Sequence, residues 1–280
     1  MRVPGYIRHT YFGKDLPKSV YFFTLHKCAS TLFSRHVLDN ANDLFKVDYA
    51  HQIYRGETKP GKKLRFRDRG FIYGPIRISA DETAPVGRML VKPTTEHEFV
   101  RDKTAIFFVR DPRDILVSQY YSFGYTHGLS PVDEIREKQE SKRKRIQGLS
   151  LDEYVLENVD AQIRDFETIH ELAKICEHSV VLKYEDMVED FERFSEMLCE
   201  MISLDRSVVQ EIYRRSRPRT EEDTSLHRRS GRVGGFREKL RSDTIESLNR
   251  QLQGILAKFG YEVQQGSEHD IGSDQAHSAP

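Results

Sequence analysis

Lys27 opens a run of small and hydroxylated residues, Lys27-Cys28-Ala29-Ser30-Thr31. Side chains this short let an oxyanion reach backbone N–H groups, and the ammonium adds a full charge. Farther along the chain, Arg110 stands eight residues before Ser118. A guanidinium presents a planar fork of donors and the hydroxyl adds one more, a set that suits a terminal phosphate better than lysine would. A third cluster, Arg229-Ser230-Gly231-Arg232-Val233-Gly234-Gly235-Phe236-Arg237, mixes cations with glycines that allow close backbone approach. Taken alone, Lys27 reads as a surface lysine in a plain turn. Three such clusters together describe two ends of one doubly anionic ligand, each charged hydrogen bond contributing about 1.5–3 kcal/mol.

The elements around these residues decide whether they can meet. Val20-Tyr21-Phe22-Phe23-Thr24 is β-branched and aromatic, which predicts a buried strand. Leu32, Phe33, Val37, Ala41, Leu44 and Phe45 then follow at helical spacing, so Lys27 lies in a strand-to-helix turn where backbone donors and the helix dipole converge. Leu44–Val47 also reads as a second short strand, ending at Asp48 and followed by His51. The stretch 55–70 reads as a basic loop, and 70–78 as a strand broken at Gly74-Pro75, because proline cannot donate within a ladder. Thr104–Val109 is apolar throughout, as a central parallel strand must be. It runs into Asp111 as helix cap and Pro112 as first helical residue.

The charged segment 131–147, with Lys142-Arg143-Lys144-Arg145, reads as a solvated helix face or loop. Leu151 to Ile175 has the spacing of a long amphipathic helix. Ser179–Tyr184 reads as another strand, and Asp186 with Glu189 as a capping box on the next helix. A last helix starts near Asp243 and stops at Gly260. Strands alternating with helices predict the α/β class, a central parallel β-sheet flanked by helices, with its site at the carboxyl ends of the strands. Lys27, Asp48, Arg77, Arg110 and Tyr184 all fall at such ends. The expected organisation is one domain over 1–263 and a disordered polar tail over 264–280.

The chain of 280 residues has 44 basic and 44 acidic side chains, so no global field draws it to nucleic acid or membrane. Its three cysteines are widely spaced and form no metal-ligand pattern. No stretch approaches the roughly 20 apolar residues of a membrane span, and charges interrupt the N-terminus where a signal peptide would be apolar. These readings predict a soluble, cytoplasmic protein.

In this order the motifs resemble the sulfotransferase family that uses 3′-phosphoadenosine 5′-phosphosulfate (PAPS), of the bacterial or cytosolic type. Lys27-Cys28-Ala29-Ser30-Thr31 is similar to the family's Lys-Ser-Gly-Thr-Thr loop. Arg110 and Ser118, in an Arg-Asp-Pro-Arg-Asp context, match its second motif. Arg229-Ser230-Gly231-Arg232-Val233-Gly234 matches an Arg-Lys-Gly-x-x-Gly stretch with serine in place of lysine. Tyr184-Glu185-Asp186 is also typical of the family.

The resemblance spans residues 20–260 and implies a P-loop NTPase-like sulfotransferase fold. It implies that Lys27, Cys28, Ala29, Ser30 and Thr31 hold the phosphosulfate, and that Arg110, Ser118, Arg229, Ser230 and Gly231 hold the 3′-phosphate. Tyr184 would lie near the adenine. PAPS would be a co-substrate, and no metal is expected, since no carboxylate pair stands near the loop. Many relatives carry a histidine base in a turn that here reads Tyr73-Gly74-Pro75-Ile76-Arg77, so Asp48, His51 and, behind them, His97 are the candidate bases. Cys28, at a helix start, has the placement of a low-pKa thiol, yet a small residue filling the family's serine position accounts for it better.

The implied acceptor is a small molecule, sugar, lipid or carrier-bound chain offering a hydroxyl or amine. A catalytically silent nucleotide-binding protein of the same fold is the alternative. A P-loop kinase would need Gly-x-x-x-x-Gly-Lys-Ser/Thr, which the chain lacks. A nucleic-acid role for the arginines of 213–241 fits less well than the matched motif.

Overall fold

A computed structural model describes residues 16–59, 64–79, 98–218 and 231–263. Five strands, β1 (Val20–Thr24), β2 (Phe45–Val47), β3 (Phe71–Arg77), β4 (Thr104–Val109) and β5 (His178–Lys183), form one sheet. Their order is β2-β3-β1-β4-β5, and every pairing is parallel. β1 lies at the centre between β3 and β4, and β1 and β4 are buried nearly end to end, which is why they are apolar apart from Thr24 and Thr104.

Aromatic packing fixes both faces of the sheet. On one side Phe33 lies 4.6 Å from Phe22 and 4.2 Å from Phe108, ring to ring, with Phe194 edge-on at 6.2 Å. On the other, Phe23 stacks on Phe107 at 5.2 Å and Tyr21 on Tyr73 at 5.1 Å. Full burial of each such ring contributes about 1.5–3 kcal/mol, and the ring geometry about 0.5–1.5 more.

Helices cover the sheet: α1 (Ser30–Leu32), α2 (Tyr49–Tyr54), α3 (Glu98–Arg101), α4 (Pro112–Tyr121), α5 (Asp133–Gln147), α6 (Leu151–Ile175), α7 (Tyr184–Glu189), α8 (Phe191–Met201), α9 (Arg206–Ser216), α10 (Phe236–Lys239) and α11 (Ser242–Phe259). The cap expected at Asp111 is present, its carboxylate accepting from the Arg113 N–H at 2.9 Å. α6 has the expected bounds and starts on a capping box between Ser150 and Glu153. Gly260 closes α11 at φ 62°, the left-handed conformation expected of it.

Three local expectations are corrected. The helix after Lys27 does not reach Phe45: α1 widens into a π-helical turn at Phe33–Val37, tightens to a 3₁₀ turn at Leu38–Asn40 and ends. Ala41 is extended and Asp43 left-handed at φ 59°, which turns the chain so that Phe45 can open β2. β3 is not broken at Gly74-Pro75. Its register against β1 slips there, from Tyr21 opposite Tyr73 to Phe23 opposite Ile76, and such a bulge absorbs a residue that cannot donate to the ladder. Only glycine fits before that proline, because a Cβ on Gly74 would sit 2.8 Å from the Phe22 carbonyl oxygen.

The capping box at Asp186 is absent as well. β5 passes directly into α7, so Asp186 already lies in its first turn, and Asp190 caps α8 instead, accepting from the Arg193 N–H. The charged segment after residue 130 is helix α5. The tail over 264–280 lies outside the described residues.

Candidate active site

The carboxyl ends of the strands open onto one cavity of about 1560 Å³. That exceeds the roughly 300–1,000 Å³ of a pocket for one drug-sized ligand and leaves room for two substrates. Lys27, Ala29, Ser30, Thr31, Asp48, His51, Arg110, Ser118, Tyr184 and Gly231 all line it. Cys28 does not: it is fully buried behind the loop. Arg229, Ser230 and His97 lie outside the described residues.

The β1–α1 loop is shaped by two left-handed residues, Lys27 at φ 71° and Ala29 at φ 48°. The Lys27 ammonium donates to the Ser122 hydroxyl at 2.9 Å. Arg110, at the end of β4, reaches back to the Lys27 carbonyl at 3.5 Å, joining the two anion-binding clusters. Its guanidinium also pairs with Asp114 at 3.3 Å, donates to the Arg232 carbonyl at 3.2 Å and lies 4.5 Å from the centre of the Tyr184 ring. Its Nε has no hydrogen-bond partner among the described residues. Asp114 and Ser118 are one helical turn apart on α4, so the same face of the helix presents both to the cavity.

The glycine-rich turn is tied down from two sides. Asp114 accepts from the Gly234 N–H at 2.9 Å and the Phe236 N–H at 3.0 Å. The Tyr184 hydroxyl donates to the Gly231 carbonyl at 2.7 Å. Behind it, the Glu185 carboxylate accepts from the Asp111 N–H at 2.9 Å, and burial pushes Glu185 up to about 7 despite the nearby Arg110.

Asp48 caps α2, its Oδ1 accepting from the His51 N–H at 2.9 Å. Burial raises its carboxyl above the ordinary carboxylate value, against that N–H and the charge of Arg77. Arg77, at the end of β3, donates to the Ser30 hydroxyl at 3.1 Å and so touches the loop while facing Asp48. Two members of this site, Ser122 and Asp114, are not singled out by the sequence, and Arg77 is singled out there only as a charged strand end. Asp114 carried a usable signal, as a carboxylate one turn before Ser118. Ser122 lies one turn after Ser118, but only the coordinates place it against Lys27.

Burial pushes the Cys28 thiol up to about 12, so the low-pKa option fails and the space-filling one holds. Cys176 is buried too, and Cys199 is exposed. A thiol-specific reagent should therefore titrate one cysteine in the native protein and three in denaturant; modification of Cys28 without unfolding would contradict this packing. Among the described residues no three His, Cys, Asp or Glu side chains are grouped to hold a metal ion, and no helix is long and apolar enough to cross a membrane.

Comparison with known proteins agrees with the geometry. A protein-family model described as the sulfotransferase family matches residues 15–262. Among solved structures, mouse sulfotransferase SULT7A1 complexed with PAP superposes with a TM-score of 0.51 at 14% identity, over 85% of this chain and 84% of that one. Retinol dehydratase in a complex with retinol and PAP gives a TM-score of 0.41 at 12% identity, over 93% and 87% of the two chains. No curated protein sequence matches. At such identities the structural likeness is one of fold, while the family match runs through every element that borders the cavity, and the chain is a member of the sulfotransferase family.

Proposed function

We propose that the protein moves a sulfuryl group from PAPS to an acceptor hydroxyl or amine. The observation that carries this reading is the convergence of two separate anion-binding clusters, Lys27 with its loop and Arg110 with Ser118, on one cavity. The residues present fit such a donor. Arg110 keeps a buried Nε–H with no partner among the described residues, and the turn below it is held by side chains rather than left to form on binding. The Arg110 end holds the 3′-phosphate and Tyr184 the base, while Lys27 and the loop N–H groups hold the phosphosulfate; Arg229 and Ser230 complete the clamp in this reading.

Transfer needs positioning and charge stabilisation more than covalent chemistry. A lone pair on the acceptor oxygen forms the new O–S bond as the bond from sulfur to the bridging oxygen breaks. That oxygen leaves with the electron pair on 3′-phosphoadenosine 5′-phosphate (PAP). Lys27 faces the charge that grows there, and the acceptor proton passes to a base in the cavity. Of the two candidates lining it, Asp48 is the better base: it is half-buried, its carboxyl is raised above the ordinary carboxylate value, and Arg77 faces it.

A base must be ionised to accept the proton, so kcat/KM should fall as pH drops through the raised Asp48 value. Asp48→Asn should abolish that acid limb and His51→Asn should leave it in place. The reverse pattern would assign the base to His51.

The donor reading is tested with Arg110→Lys, which keeps the charge and loses the fork. PAP should bind the wild-type protein more tightly than adenosine 5′-phosphate. The variant should lose about 1.5–3 kcal/mol of PAP affinity, roughly 10- to 150-fold, with little change toward adenosine 5′-phosphate. Equal affinity of the wild type for both nucleotides would overturn the 3′-phosphate clamp.

A further inference from the structure

The chain has as many acidic as basic residues, yet its cavity does not: among the described residues twelve lysines and arginines line it against four acids. The donor end accounts for part of this excess. Of the other cations, four lie in the half bordered by the residues after α2 and by helix α5. Lys59, Lys138, Lys142 and Arg143 line this half.

The charges of α5 are sorted by direction. Its acids Asp133, Glu137 and Glu140 stand off the cavity, and only Glu134 borders it. Of the three cations directed elsewhere, two have acidic partners: Arg136 pairs with Asp133, and Arg145 pairs with Glu157 of α6 at 2.6 Å.

The cavity-facing cations are seated for different tasks. Arg143 donates to the carbonyl oxygens of Phe123 and His127 and braces the wall. The Lys142 ammonium lies 4.8 Å from the centre of the Phe123 ring, which positions its charge at the cavity surface. Lys138 meets Glu134 at 3.3 Å, both side chains more than half exposed, and such a pair is weak enough for an incoming anion to replace. Ile53, Leu129 and Ile135 line the same half and offer apolar surface for a carbon skeleton. Cations set around a recess focus the field and raise the local concentration of a negatively charged ligand.

We infer that this half of the cavity binds an acceptor carrying its own negative charge, a carboxylate or a sulfate ester, held by Lys138 and Lys142 of α5 with Lys59 across from them. The inference rests on the sulfotransfer reading for calling the ligand an acceptor; the anion site itself stands on the distribution of charge. It gives the Lys142-Arg143 segment a purpose that a solvated helix face does not.

The test uses the full chain saturated with PAP and ligand-observed NMR titrations of matched probes: 4-hydroxybenzoate and 4-hydroxyphenyl sulfate against phenol, and glucuronate against glucose. The charged member of each set should bind about tenfold more tightly. That advantage should shrink between about 0.1 and about 1 M salt, as the screening length falls from roughly 10 to roughly 3 Å. The double variant Lys138→Glu/Lys142→Glu should erase the preference and leave PAP affinity as it was. The benzoate and sulfate arms show which anion is preferred.

Equal binding within each set, no detectable binding of the charged probes, or a preference that survives the double variant would overturn the inference. If PAP itself does not bind, the donor reading fails separately, and the same probes titrated on the free protein still decide the anion site.

Discussion

Lys27→Ala is expected to lower kcat for sulfuryl transfer by about 10²–10³, equivalent to roughly 2.7–4 kcal/mol, the usual loss when one preorganised stabiliser of transition-state charge is removed. Lys27 lines the cavity from the turn after β1, and its ammonium is already directed by Ser122 at 2.9 Å before any ligand arrives. A charge fixed in advance acts on the departing bridging oxygen without reorganising during the reaction. The deficit should therefore appear in kcat, while PAP, which also has the Arg110 end to bind, should lose much less affinity. Transfer of labelled sulfate from PAPS to an acceptor drawn from a panel is the measurement. A variant that keeps more than about a tenth of wild-type kcat would remove Lys27 from the centre of the mechanism. Ser122→Ala should give a smaller loss in the same direction, since it removes one contact that directs the ammonium without deleting the charge.

Asp114→Ala should destabilise the fold by about 3–5 kcal/mol, the range for breaking a buried ion pair by removing one partner. Asp114 is 3% exposed and has three dependants: the Gly234 N–H, the Phe236 N–H and the Arg110 guanidinium. Alanine leaves two buried backbone donors and one cation without that carboxylate. The damage should spread to the neighbouring contact, where the Arg113 guanidinium lies 4.3 Å from the Phe236 ring centre and α11 and the segment after it are tied in through Asn249 and the Glu262 carbonyl. Urea unfolding of wild type and variant reads the difference directly, and PAP affinity should fall with it. Asp114→Asn should be intermediate, keeping one acceptor oxygen but turning an amide toward Arg110. A loss below about 1 kcal/mol for alanine would mean that the glycine turn is held by something other than this carboxylate.

Much of this architecture is legible in the sequence because the central strands are buried on both faces. Phe22, Phe23, Phe107 and Phe108 have no charged neighbours in their strands to suggest any other placement. The caps at Asp111 and Gly260 were readable for a similar reason, since each rests on local chemistry within a few residues. Features set by partners distant in the chain were not readable. The slip in β3 depends on β1 lying beside Gly74, and the early end of the helix after Lys27 depends on Asn42 donating its N–H to the Ser203 carbonyl at 2.8 Å.

The site divides along the same line. Lys27, Arg110, Ser118 and Tyr184 were found by position and type, and they meet at one cavity. Arg77 was legible as a strand end, but nothing local says that it will touch Ser30, 47 positions earlier in the chain. Helix α5 carried its charge openly, but the direction in which each charge points belongs to the fold.

The backbone at Lys27 sets a limit on how this protein can be improved. A left-handed conformation costs a residue with a Cβ roughly 1–2 kcal/mol, and Lys27 and Ala29 both adopt it, at φ 71° and φ 48°. Glycine would relieve that cost at either position. At residue 29 the exchange removes a single methyl group and leaves the cavity charge alone, so selection for heat resistance and selection for turnover would accept the same change. At residue 27 the two pressures conflict: the substitution that relaxes the main chain deletes the ammonium. A library sorted only on melting temperature should gather glycine at both positions, and one sorted on activity should gather it at 29 while keeping lysine at 27.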